Sequence, residues 1–84
     1  MYIVYILYSP STDQYFVGQT KDIKIALWQH NAKTNPVTAD GKPWIVKFTQ
    51  SFATRNEALS LEMKLKRRDR TFLEELISQP QPTV

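Results

Sequence analysis

No cysteine occurs anywhere in the 84 residues, so neither a disulfide framework nor a thiolate metal site can be built from this chain. A cytoplasmic setting is the neutral expectation for such a composition. Long apolar runs are missing too. The longest is the opening MYIVYILY, too short to span a bilayer. It also lacks the charged start and small-residue cleavage site of a secretory signal. The expectation is a soluble, unexported chain without membrane contact. The motifs GxxxxGK[ST], GxGxxG and HExxH are absent, which argues against the nucleotide and zinc chemistry they support. No internal repeat is present, and the length admits one domain with a modest core.

Charge of either sign is also modest. Eleven Lys+Arg against eight Asp+Glu give a net charge of +3 and a pI of about 9.3. That balance favours polyanionic partners only mildly, because many equally basic domains bind no nucleic acid.

Residues 2–8 are β-rich and apolar at successive positions, the pattern of a central strand covered on both sides. SPSTDQ supplies turn residues, and Tyr15 to Thr20 returns as the second strand of a hairpin. Asp22 is a good N-cap for a helix near 22–31, whose inward stripe is Ile23, Ala26, Leu27 and His30. AKTNPVTADGKP, residues 32–43, reads as loop, and WIVKFTQSF, residues 44–52, as a third strand pairing with the hairpin. Thr54-Arg-Asn-Glu57 has the form of a capping box and opens a helix near 55–68. A last helix near 70–78 carries Phe72, Leu73 and Ile77 at helical spacing. The expected architecture is α+β, a three-stranded antiparallel sheet flanked by helices in the order ββαβαα. It occupies one domain over 1–78, with 79–84 as a disordered, proline-bearing tail.

Three polar residues interrupt apolar faces. Glu62 falls inside the helical arc of Ala58, Leu59, Leu61, Met63 and Leu65, where an unpaired carboxylate is costly. It therefore needs a cation partner, a metal, or a cleft open to water. His30 stands on the inward stripe of the first helix, and Tyr5 on the first strand. A lone core histidine is usually a hydrogen-bonded structural group. The three together could line a cleft that takes a phosphate and one divalent ion. The run KLKRRDR places Lys64, Lys66, Arg67, Arg68 and Arg70 near a helix C-terminus. Such cations complement the helix dipole on a solvated face, or track phosphates. Ile25 and Trp28 lie on the outward side of the first helix, where lysine or glutamate is expected. They make an apolar contact face for a second copy or another protein, unless the 32–43 loop folds over Trp28.

VYILYS, YFVGQT, DIKIALWQHN, GKPWIVKF and FATRNEALSLEMKLKRR together resemble the GIY-YIG nucleases. The likeness is to their small single-domain bacterial members, which are related to the N-terminal module of the bacterial excision-repair nuclease. The resemblance covers residues 1 to about 78. It implies that Tyr5 is the first-motif tyrosine, Gly18 the strand-ending glycine, His30 the helix-one aromatic or histidine, and Glu62 the single metal-ligating glutamate. It also implies that the second-motif tyrosine, the favoured general base, is here Phe16. The arginine that holds the scissile phosphate is here Ala26, and a lysine of some members is Gln19. Tyr15 faces the opposite side of the strand from Phe16 unless a bulge intervenes.

An intact site of this type implies metal-dependent hydrolysis of a DNA phosphodiester with Mg²⁺ or Mn²⁺ on the glutamate. Loss of a general base typically forfeits ~10²–10⁴ in rate. Loss of a preorganised charge donor forfeits ~10²–10³. The expectation is a GIY-YIG-like domain with a degraded site, inactive or very weak, kept for weak nucleic-acid or protein binding. Two alternatives stand beside it. One is an active divergent endonuclease using His30 or Tyr5 to activate water; the other is a dimerisation or protein-interaction module working through the first helix.

Overall fold

A computed structural model describes residues 1–32 and 43–79. The elements run β1 (Tyr2–Ser9), β2 (Gln14–Thr20), α1 (Ile23–Asn31), β3 (Ile45–Phe52), α2 (Arg55–Lys66) and α3 (Arg70–Ser78). The three strands form one antiparallel sheet in the order β2-β1-β3. The α+β architecture expected from the sequence is therefore the one observed. The expected loop over 32–43 and tail over 79–84 fall almost wholly outside the described residues.

β1 is central because it must be covered on both sides. Val4 and Ile6 point to one face and Tyr5 and Leu7 to the other, and all four are buried. The first face packs with Val17 and Phe48 beneath Ala58 and Leu65 of α2 and Leu73 of α3. The second packs Tyr5 and Leu7 against Ala26 of α1 and Trp44, with Phe16, Ile23, Leu27 and Val46 around them. Strict alternation would send Trp44, Val46 and Phe48 to a single face. A register shift between Ile6 and Leu7 prevents this, pairing Ile6 with Phe48 but Leu7 with Val46. The extra residue, Lys47, lets Phe48 serve one core while Val46 and Trp44 serve the other.

The helix boundaries have local causes. The Asp22 carboxylate accepts the N–H groups of Lys24 and Ile25 at 2.9 and 3.3 Å, opening α1. Thr54 Oγ1 accepts the Glu57 N–H at 3.3 Å and donates to the Glu57 carboxylate at 2.8 Å, opening α2. α2 ends at Lys66, two residues before the expected Arg68. The Arg67 and Arg68 N–H groups tighten onto the Lys64 and Leu65 carbonyls. Asp69 then leaves the helix to cap α3, accepting the Phe72 N–H at 3.0 Å. The arc expected to be buried on α2 is narrower than its composition implied. Ala58 and Leu65 are buried, but Leu59 is 42% and Met63 45% exposed.

Candidate functional site

Tyr5 and Gly18 are directly paired across β1 and β2. The phenol ring lies over the glycine. A Cβ at position 18 would stand 2.6 Å from Tyr5 Oη and 3.0 Å from Phe16 Cε1, so only glycine lets the tyrosine lie there. Tyr5 Oη sits 3.0 Å from His30 Nε2, joining strand and helix at the polar centre of this face. The Phe16 ring fills the space beside them, 4.7 Å from the imidazole and 6.3 Å from the Tyr5 ring between centroids. Ala26, 5% exposed, is packed in the same cluster with Leu7 and Trp44. Trp44 is held by Asn31, whose side chain accepts the Trp44 N–H at 2.6 Å and donates to its carbonyl at 3.3 Å.

Burial sets the protonation of this pair. It pushes Tyr5 up to about 12, with the charge of Glu62 adding to the effect. It also lowers His30 below its ordinary 6.5. Near neutral pH the phenol keeps its proton and the imidazole is uncharged.

Glu62 does not share that face. It belongs to α2, which covers the Val4–Ile6 side of the sheet. α2 brings Glu62 to the β2 edge from the opposite face to Tyr5 and His30, near enough for its charge to act on the Tyr5 phenol. Tyr5 and His30 lie on one side of the edge strand β2 and Glu62 on the other. The strand's alternation explains the split, since Gly18 faces Tyr5 while Gln19 faces α2 and donates to Glu62 at 3.1 Å. The carboxylate is 15% exposed and paired with Lys66 at 2.8 Å. It meets water in an open groove of about 380 Å³, lined also by Tyr2, Gln19, Lys21, Arg55 and Leu59.

The five clustered cations separate in space. Lys64, Arg67 and Arg68 border a second shallow groove with Ser60 and Met63. Lys66 belongs to Glu62. Arg70 is engaged at the hairpin tip, donating to the Asp13 carbonyl at 2.9 Å and its carboxylate at 2.5 Å, and to Glu74 at 3.3 Å. Tyr15, the hydroxyl nearest in sequence to Phe16, points away from His30 and donates to Glu74 at 3.1 Å. Ile25 and Trp28 are 55% and 64% exposed; a covering role for the loop lies outside the described residues. Sequence reasoning missed Lys21, Arg55, Asn31 and Trp44 as parts of this region. Arg55 carried a signal, since it precedes Glu62 by seven residues and so shares its helix face.

The GIY-YIG catalytic domain family matches residues 1–75. The chain belongs to the GIY-YIG family. A UPF0213 protein of Streptococcus pneumoniae is 37% identical over 68 residues, covering 80% of this chain and 69% of its own. The solution NMR structure of a UPF0213 protein from Bacillus halodurans superposes with a TM-score of 0.60 at 28% identity. That match spans 93% of this chain and 84% of the other. In this GIY-YIG domain the two motif strands are the paired β1 and β2. The tyrosine of the first motif and the glycine of the second meet as the Tyr5–Gly18 contact. No helix among the described residues is long and apolar enough to cross a membrane.

Proposed function

We propose that this GIY-YIG domain binds nucleic acid and cleaves phosphodiesters very slowly or not at all. The observation that carries the reading is the composition of the Tyr5–His30 face. Where a nuclease of the family needs a hydroxyl and a cation, the chain has the Phe16 ring against His30 and a buried Ala26 against Trp44. Neither remaining group substitutes well. Tyr5 holds its proton, and His30 Nε2 is directed at Tyr5.

The donor chemistry at Glu62 fits a water-rich Mg²⁺ or Mn²⁺ ion, since one carboxylate in an open groove matches the habit of these ions to keep several waters. Glu62 would hold the ion, and Lys66 would have to swing aside. Such an ion supplies Lewis-acid stabilisation of phosphate charge. It would offset the contribution of Glu62 to the raised Tyr5 pKa while leaving burial, the larger cause, in place.

Supercoiled plasmid incubated with Mg²⁺ or Mn²⁺ tests the reading together with a gel-shift assay on the same DNA. Binding without nicking is expected. Turnover that disappears in Glu62→Ala would overturn it in favour of an active, divergent nuclease. The exposure of Ile25 and Trp28 favours a second reading, in which α1 also offers a contact face for another chain.

A further inference from the structure

Counting about 100° per residue, Arg55, Leu59, Glu62 and Lys66 form one stripe of α2, while Ser60, Met63, Lys64 and Arg67 lie roughly a third of a turn away. The two grooves follow the same division, one containing Glu62 and the other Lys64, Arg67 and Arg68. The conspicuous basic run is therefore not the positive surface next to the carboxylate. That surface is made by Lys21, from the turn between β2 and α1, and Arg55, at the start of α2.

The charge balance of this groove is uneven. Glu62 is already neutralised by Lys66. Glu57, the carboxylate in the first turn of α2, is engaged by Thr54. Asp22, beside Lys21, has its Oδ1 accepting two N–H groups of α1. Among the described residues no carboxylate forms an ion pair with Lys21 or Arg55. Lys21 instead lies over the Tyr2 ring, 5.4 Å from its centroid, which keeps the ammonium at the groove wall. Two cations with no ion-pair partner among the described residues, in an open groove about 380 Å³ in size that Gln19 and Glu62 also line, suit an oxyanion of low charge.

We infer that Lys21 and Arg55 form a phosphate-holding subsite in the β2–α2 groove, placing one backbone phosphate of a nucleic acid beside Glu62. The inference rests on the proposed nucleic-acid binding and specifies where the strand passes. It also gives a physical sense to the loss of a cation from position 26. Positive charge is provided from the α2 side of the edge strand, leaving the α1 side free to be packed with alanine and tryptophan.

Two measurements on the full chain test this, with wild type, Lys21→Gln/Arg55→Gln and Lys64→Gln/Arg67→Gln/Arg68→Gln. All the substituted side chains are exposed, so unchanged circular-dichroism melts are expected. In the first, inorganic phosphate is titrated into ¹⁵N-labelled protein. Amide shifts should centre on Gln19 to Lys21 and on Arg55, and vanish in the Lys21/Arg55 variant. Shifts centred on Arg67 and Arg68 instead, or shifts retained in that variant, overturn the subsite. In the second, a fluorescent duplex of about 20 base pairs is bound in EDTA over a salt series. The Lys21/Arg55 variant should bind several-fold more weakly, its log K against log salt slope falling by about 1 to 2 as phosphate contacts are lost. Affinity and slope equal to wild type overturn the inference and leave nucleic-acid binding standing. A wild type that shifts with phosphate at Lys21 and Arg55 but ignores the duplex removes the proposed function and keeps the anion subsite.

Discussion

At Phe16 the difference from the family's tyrosine is one oxygen. The ring already lies 4.7 Å from the His30 imidazole, so Phe16→Tyr is expected to fold normally and bring a hydroxyl into the polar centre. Position 26 is a different case. Ala26 is buried with Tyr5, Leu7 and Trp44, and an arginine there must displace packed side chains, with an overpacking cost of about 1–3 kcal/mol. Ala26→Arg should therefore lower the melting temperature. Phe16→Tyr/Ala26→Arg should give measurable Mn²⁺-dependent nicking where each single variant gives none. Cleavage by Phe16→Tyr alone would show that the cation is dispensable.

Burial of His30 is expected to make stability sensitive to mild acid. Its pKa is lowered by burial below 6.5 in the folded state, so at mildly acidic pH the unfolded chain binds a proton that the folded chain resists. Stability then rises with pH over that interval. The urea midpoint is expected to fall as pH drops below about 6.5 and to stop falling, for this group, below the depressed folded value. His30→Gln should flatten that part of the profile. A wild-type midpoint that stays constant from neutral pH to well below 6.5 would show that the imidazole is not buried in the folded state.

Among the elements, α2 decides most. Thr54 fixes its start through the Glu57 N–H, and Thr54→Ala should destabilise by about 1 kcal/mol, read from denaturant midpoints, without altering the site. Its other end is set by Asp69, whose capping of α3 separates Arg70 from the preceding cations. Arg70 ties α3 to the hairpin tip at Asp13, a residue held at φ 55°. This contact holds the Asp13 carboxyl below the usual carboxylate range, the Arg70 hydrogen bond being the chief cause. Arg70→Ala is expected to loosen the hairpin, seen as faster amide exchange at residues 9–14, while leaving duplex affinity unchanged. A weakened affinity would return Arg70 to the phosphate-tracking surface.

For the molecule as a whole, the polar groups fall on two sides of one edge strand. The Tyr5–His30 face is sealed with aromatic rings, and the Glu62 face is open and positively bordered. The Ile25–Trp28 surface of α1 lies on the sealed side. If it is a contact surface between copies, sedimentation velocity over a wide concentration range should show reversible association, and Ile25→Lys/Trp28→Glu should remain monomeric. A wild type that is monomeric throughout, with Trp28 fluorescing as a buried side chain, would discard self-association.

Sequence alone determined the elements and the sheet, because each rests on local chemistry. A strand apolar at successive positions must be central, Asp22 and Thr54 stand where orphan N–H groups need acceptors, and the motif residues fix the family. It also marked Glu62 and His30, since polar groups interrupt an apolar period visibly. Only tertiary structure decided which of these meet. The side of the sheet taken by α2 separates Glu62 from His30, and the bulge at Lys47 assigns Phe48 and Val46 to different cores. The turn after Lys66 divides one run of cations among three neighbourhoods. These outcomes depend on contacts between residues distant in the chain, such as Gln19 with Glu62 and Asp13 with Arg70, and helical or strand periodicity carries no information about them.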